Sequence, residues 1–236
     1  LCDVYDTLND KPFLLPLNQL LGFIGAHEWH KKGIDIPQLD GKIHVPFGVF
    51  SPLRGEYLDL ITQAPLAPHI QTAFDIGTGS GVIAAILAKR GIPDIIATDT
   101  NPKAIACATA TLERLGLDKA VNIQSIDLFP ESCADLIVCN PPWLPAKPTS
   151  AIETALYDPN HAMLTAFLNG VRQHLNPNGE AWLIISDLAE HLHLRNKDFL
   201  NQCFQTASLN VVDILKTKPQ HKKAIDESDP LAFARN

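Results

Sequence analysis

At 236 residues with 46% hydrophobic content, the chain can bury a full core in one domain, or one and a half. A formal charge of -7, with nineteen basic residues that form no run beyond short pairs such as Lys31-Lys32 and Lys222-Lys223, excludes a global electrostatic hold on phosphates. No stretch approaches the ~20 apolar residues of a membrane span and no signal-peptide pattern is present. The five cysteines, Cys2, Cys107, Cys133, Cys139 and Cys203, are odd in number and lack a C-x-x-C pair, so they read as reduced core thiols of a cytoplasmic protein.

Residues 1–50 differ in character from the rest of the chain. A helix is predicted over 17–31, with Leu17, Leu20, Leu21 and Ile24 on one side, followed by extended segments punctuated by Pro and Gly. This stretch reads as an N-terminal flap or the remnant of a larger domain, and 51–236 as the main unit. The chain starts at Leu1 rather than Met, which reads as a fragment or a processed form. His27, His30, His191 and His193 lack metal-ligand spacing and read as surface residues, so no metal site is expected.

The first strong signal is Phe74-Asp75-Ile76-Gly77-Thr78-Gly79-Ser80-Gly81, which joins a short apolar run at 72–76 to a helical pattern at 82–90. Glycines let the backbone approach a ligand and supply positive φ, while the free N–H groups of the helix start face the loop. A dinucleotide fingerprint would carry a third glycine where Val82 stands, so a nicotinamide-dependent oxidoreductase is the weaker reading. Asp75 is a poor neighbour for a pyrophosphate and a good one for a ligand bearing a sulfonium and an ammonium.

A second predicted strand, Asp94 to Thr98, ends at Asp99, placed to accept both hydroxyls of a ribose, with Thr100 beside it. Asn101 as N-cap and Pro102 at the first helical position predict a helix to about Leu115, stopped by Gly116. A third strand near 120–125 leads to Asp127-Leu128-Phe129, whose acid suits an adenine amino group while the apolar pair packs on the ring. Taken singly, such an acid is more often just a polar strand end.

Asp135 to Cys139 is the next buried strand, and it runs into Asn140-Pro141-Pro142-Trp143. Neither proline has an N–H to donate, so the turn is stiff and presents carbonyl oxygens beside the Asn140 amide oxygen. An exocyclic amine or a carboxamide could donate both its hydrogens there, with Trp143 against its flat face, a contact worth roughly 1–3 kcal/mol for a base. Alone, the tetrapeptide is also compatible with a proline-stiffened turn whose tryptophan sits in the core. Residues 144–160, which include Lys147, Glu153, Tyr157 and Asp158, form a long loop leaving the carboxyl end of a strand and read as a substrate lid. Further strands are predicted at 181–185 and 209–215, and 218–236 is charged and interrupted by proline. The alternation of strand and helix, with continuous apolar runs, predicts a doubly wound α/β fold around a mostly parallel sheet.

Together these motifs resemble the class I S-adenosylmethionine-dependent methyltransferases, in the amino-methylating branch that carries an N/D-P-P-Y/F/W tetrapeptide. The resemblance spans about residues 47–217, in the order glycine loop, ribose acid, adenine acid, Asn-Pro-Pro-Trp. It implies a Rossmann-like fold and S-adenosyl-L-methionine as methyl donor. Asp75, Gly77, Thr78, Gly79 and Gly81 would lie at its methionine end, Asp99 and Thr100 at the ribose, and Asp127 with Leu128 at the adenine. Asn140, Pro141, Pro142 and Trp143 would hold the target nitrogen, Asn140 also bordering the cofactor. Small-domain enzymes such as release-factor glutamine N5- and ribosomal-RNA guanine N2-methyltransferases share the tetrapeptide. In those families a segment like Val49-Phe50-Ser51-Pro52 with Arg54-Gly55-Glu56-Tyr57 closes over the cofactor. Trp143 departs from the commoner tyrosine or phenylalanine, and the first 40 or so residues do not match the helical recognition domain of the glutamine enzymes. The resemblance implies N-methylation of a planar amide or exocyclic amine. A protein or small-molecule carboxamide is favoured as acceptor, and an RNA base (guanine N2 or adenine N6) is the alternative. A noncatalytic binding module is disfavoured because all four motifs are present.

Overall fold

The computed structural model describes residues 14, 16–53, 55–145 and 157–218. A helix, α1 (Leu17–Lys32), leads into an antiparallel hairpin of β1 (Ile34–Ile36) and β2 (Gly41–Ile43). After α2 (Glu56–Gln63) come β3 (Thr72–Ile76), α3 (Val82–Lys89), β4 (Asp94–Thr98), α4 (Pro102–Leu115), β5 (Val121–Gln124) and β6 (Ala134–Cys139). The described part closes with α5 (Ala162–Val171), β7 (Leu175–Leu183), α6 (Leu188–His191) and α7 (Phe199–Thr206). Strands β3 to β7 form one parallel sheet in the order β5-β4-β3-β6-β7. The chain winds outward from β3 to β5 and then returns to add β6 and β7 on the other flank. The order therefore reverses between β3 and β6, and open α/β sheets bind their ligands outside the carboxyl ends at such a reversal.

Burial on both faces explains the unbroken apolar runs. On one face Ile95, Leu136 and Val138 pack with Ile83, Ile86 and Leu87 of α3, and Ile34, Ile36, Leu39 and Ile43 of the hairpin join the same core. On the other, Phe74, Ile76, Ile137 and Cys139 meet Leu164, Phe167 and Leu168 of α5. Helix α4 begins and ends as its sequence dictates: the Asn101 side chain accepts from Lys103 N–H at 3.0 Å, Pro102 fills the first turn, and Gly116 leaves the helix with φ 67°. At the opposite edge of the sheet the Asp135 carboxylate accepts from the N–H groups of Gln71 and Thr72 and from the Thr72 hydroxyl, pinning the start of β6 to the start of β3.

Four expectations change. Residues 209–215 form no strand: Val211, Val212, Ile214 and Leu215 are exposed and, among the described residues, no ladder joins them to β7. β-Branched residues favour a strand only where a partner strand supplies the ladder. The strand foreseen at 181–185 begins earlier, at Leu175, because β7 pairs with Ala134 before an irregularity at 176–179. Leu17, Leu21 and Ile24 of α1 face solvent, whereas Phe23 is buried. Cys107 and Cys139 are buried thiols, whereas Cys133 is exposed and Cys203 half-buried; Cys2 and residues 219–236 lie outside the described residues.

Candidate active site

Register assembles the site. Ile76 of β3 pairs with Thr98 of β4 on one side and with Cys139 of β6 on the other. The next residues, Gly77, Asp99 and Asn140, therefore leave three adjacent strands at one level, about 4.8 Å from strand to strand. Gln124 of β5 pairs with Thr98, so Asp127 emerges beyond Asp99 on the same edge. Across the carboxyl edge the order is Asp127, Asp99, the glycine loop, then Asn140.

All three loop glycines have positive φ: 71° at Gly77, 56° at Gly79 and 78° at Gly81. Each has a different surround. A Cβ on Gly81 would lie 3.0 Å from Ala108, so α3 and α4 pack too closely for a side chain. A Cβ on Gly77 would strike Met163 Cε of α5 at 2.8 Å. Over Gly79 the nearest atom would be the Gly77 carbonyl at 4.0 Å, which leaves bare backbone facing open space. The loop is fixed from below: Thr78 N–H donates to Thr98 O at 2.8 Å, and Gly79 N–H donates to Asp99 Oδ2 at 2.9 Å. Asp99 Oδ1 accepts from Asn101 N–H at 2.8 Å. Each of its oxygens keeps a lone pair for a further donor. Thr100 is exposed beside it.

Asp75 is fully buried beneath the loop. Its Oδ2 accepts from the Thr78 hydroxyl at 2.6 Å and from Ala84 N–H at 3.0 Å, while Oδ1 is buried without a partner. Burial pushes its carboxyl up to about 6; the Thr78 and Ala84 hydrogen bonds oppose the rise and the Asp99 charge adds to it. A buried carboxylate with an idle oxygen calls for a cation or an N–H donor. Burial, and secondarily the charge of Asp75, also holds the Tyr57 phenol well above its ordinary value.

On the other side of the loop Pro141 is buried, and Pro142 and Trp143 are half-buried. The Trp143 indole N–H donates to Asn140 Oδ1 at 3.0 Å. Tyr57 of α2 meets the indole edge-on, with ring centroids 6.5 Å apart. Thus Tyr57, in the segment foreseen to close over the cofactor, reaches the Asn140-Pro141-Pro142-Trp143 turn. Gly48, just before that segment, is tied to the start of α4, since Asn101 Nδ2 donates to Gly48 O at 3.0 Å. Arg54 lies outside the described residues.

Two features escaped the sequence. Asp158, foreseen within a lid, is buried and accepts from the N–H groups of Met163 and Leu164 at the start of α5. Its own N–H bonds Leu144 O at 2.8 Å and Leu144 bridges Tyr157, closing the base of the loop whose Lys147 and Glu153 lie outside the described residues. The acid before Pro159 was the available helix-start signal. Phe129 stacks on Phe167 and His174, after Leu128 takes φ 52°. Asp127 stays exposed at the edge, and Leu128 O accepts from the Thr98 hydroxyl at 2.7 Å.

The model of the methyltransferase small domain matches residues 41–213, most of the chain and all of these motifs. The chain belongs to this family. Among curated relatives, the small methyltransferase domain is 34% identical over 140 residues to a release factor glutamine methyltransferase of Cereibacter sphaeroides, covering 53% of this chain and 50% of that protein. It is also 34% identical over 131 residues to a tRNA1(Val) (adenine(37)-N6)-methyltransferase of Cytophaga hutchinsonii, covering 52% and 54%. The chain spans about half the length of the curated relatives it matches. Among solved structures, a ribosomal protein L11 methylase of Lactobacillus delbrueckii aligns with TM-score 0.55 at 19% identity, over 72% of this chain and 77% of that one, a likeness of fold. The sheet, its flanking helices and that likeness make the fold the Rossmann-like class I type.

The residues present fit S-adenosyl-L-methionine. Asp75 Oδ1 is buried and unpartnered, Gly79 offers bare backbone, and Asp99 has spare lone pairs one strand away. Among the described residues no group of His, Cys, Asp and Glu is placed to hold a metal, and no helix is long and apolar enough to cross a membrane.

Proposed function

We propose that this methyltransferase domain moves the methyl group of S-adenosyl-L-methionine to a planar nitrogen, a carboxamide of a protein or small molecule in preference to an RNA base, in a cytoplasmic setting. The observation that carries the reading is the register: Ile76 pairs with both Thr98 and Cys139, so the glycine loop lies between Asp99 and Asn140-Pro141 on one sheet edge. Gly77 to Gly81 and Asp75 would hold the methionine end, Asp99 with Thr100 the ribose, and Asp127 with Leu128 the adenine.

When bound, the sulfonium of the cofactor supplies an electrophilic methyl. The work left to the chain is to raise the nucleophilicity of a nitrogen whose lone pair is delocalised. Asn140 Oδ1 and the Pro141 carbonyl would accept the two N–H hydrogens, draw the lone pair out of conjugation and stabilise the positive charge that develops on nitrogen. The proline pair fixes those acceptors, and their alignment beside the loop supplies the orientation term. No general base is needed before transfer, because the cationic product loses its proton readily to water. Within residues 1–50, foreseen as a flap or the remnant of a larger domain, Ile34, Ile36, Leu39, Ile43, Val45 and Val49 pack into the domain core.

Support for a carboxamide acceptor comes from the glutamine methyltransferases among the relatives, and the tRNA adenine enzyme supports the alternative. Tritiated S-adenosylmethionine added with the chain to extract of cells lacking the protein decides between them. Label in protein supports the carboxamide, label in RNA the base, and no transfer overturns the methyltransferase reading.

A further inference from the structure

We propose that Trp143 is the positioning residue that sets which end of the Asn140 amide meets the acceptor, through its indole N–H rather than its ring face. The inference rests on the methyl-transfer reading of this turn and adds a role for the tryptophan that stacking does not include.

A carboxamide side chain can present oxygen or NH2 with almost the same shape, so its chemistry depends on what fixes its rotation. After an asparagine the usual local donor to Oδ1 is the backbone N–H two residues on. Here both following residues are prolines and neither has an N–H. The first donor along the chain is Trp143, and its indole N–H sits 3.0 Å from Asn140 Oδ1. An indole nitrogen donates only. Flipping the amide would set NH2 against N–H, so the oxygen is selected. One lone pair of Oδ1 is used by the indole and the other remains for the acceptor. Tyr57, buried on α2, braces the indole edge-on at a centroid distance of 6.5 Å. Phenylalanine at 143 would offer no donor, and the donor of tyrosine would lie at the far tip of the ring. The Asn140 amide therefore meets its substrate as a hydrogen-bond acceptor, which commits this face of the site to a nitrogen that still carries a hydrogen.

Two measurements test this separately from the methyltransferase reading. In the free chain labelled with 15N-tryptophan there are three indole N–H signals. One of them should be protected from solvent exchange, lose that protection in Asn140→Ala and keep it in Asn140→Asp. If no indole signal responds to Asn140→Ala, the bond is absent and the proposal falls, whatever the enzyme does. Replacing Trp143 with 3-benzothienylalanine, which keeps the ring and removes only the N–H, gives the catalytic arm. The extract fraction that accepts tritium serves as substrate over a dilution series. The expected result is kcat lower by about ten- to hundredfold, with apparent KM and S-adenosylhomocysteine affinity within about threefold of wild type. Unchanged kcat would reduce Trp143 to its ring, and a raised kcat would make the N–H a latch on the free site; either overturns the proposal. If the NMR arm holds while wild type transfers no label, the function reading has failed and the hydrogen bond has not.

Discussion

Gly79 and Asp99, twenty residues apart, are joined by a hydrogen bond of 2.9 Å from the glycine N–H to the aspartate carboxylate. The loop proposed for the methionine end and the acid proposed for the ribose are thus one hydrogen-bonded unit. Asp99→Ala should therefore weaken S-adenosylhomocysteine binding by more than the lost ribose contacts alone. Two charge-assisted bonds correspond to a penalty on the order of 2–4 kcal/mol. Titration calorimetry reads it directly, and an affinity within threefold of wild type would remove Asp99 from the cofactor site.

Cofactor affinity should depend on pH through Asp75. Burial raises its carboxyl from 3.8 to about 6, so below that value the free chain holds it protonated and offers no charge to a cationic ligand. Affinity for S-adenosylmethionine should be full above about pH 6 and fall by up to tenfold per unit below it. Stability of the free fold moves the other way. A carboxyl raised on folding costs nothing below its unfolded value and destabilises as pH climbs toward 6. Asp75→Asn should flatten both profiles, as calorimetry and thermal melts across pH 4.5 to about 8 would read.

What was legible in the sequence was local or was punctuation. Asn101-Pro102 and Gly116 bound α4 because capping is decided by neighbours along the chain. Gly77, Asp99 and Asn140 could be found because each ends an apolar run, and parallel register then carries all three to one edge. Tertiary choices were not legible. Leucine and phenylalanine at 128–129 are alike in polarity, and only the positive φ of Leu128 decides that Phe129 turns toward Phe167. Met163 over Gly77 is set by how α5 packs, which no spacing announces. Residues 209–215 have strand composition, but a strand also requires a partner, and composition does not supply one.

Chemistry and cofactor binding should separate at Asn140. Asn140→Ala leaves Asp75, Asp99 and the glycine loop in place, so S-adenosylhomocysteine affinity should stay within about threefold while turnover falls roughly 10²- to 10³-fold, the cost of one preorganised polar group. Full activity in this variant would make the tetrapeptide structural.

Gly81, within the loop proposed for the methionine end, also has a packing role. With φ 78° and Ala108 at 3.0 Å from a Cβ, Gly81→Ala should lower the melting temperature through strain and a forced separation of α3 from α4. A cost of about 1–3 kcal/mol is expected from the backbone alone. Gly79→Ala, which meets nothing closer than 4.0 Å, should be milder in stability yet harm cofactor binding, because its Cβ projects into the open cradle. Melting curves with and without S-adenosylhomocysteine distinguish the two, and equal behaviour would contradict the different surrounds of the two glycines.

The acceptor preference makes its own prediction about RNA. The chain carries a formal charge of -7, and among the described residues the carboxyl edge of the sheet carries Asp99 and Asp127, with Asp75 buried beneath the glycine loop. Phosphates approaching that edge meet like charge, and counterion release, which drives most binding to nucleic acid, has few lysines or arginines to work with. The isolated chain should bind single-stranded RNA with a dissociation constant no tighter than ~10⁻⁴ to 10⁻⁶ M at physiological salt. A fluorescence titration of labelled RNA across a salt series checks this. Submicromolar binding near about 150 mM salt, with a steep salt slope and preference for one sequence, would transfer the assignment to an RNA base. Asn140 and Pro141 would then grip an exocyclic amine in place of a carboxamide, with the same two acceptors doing the same chemistry.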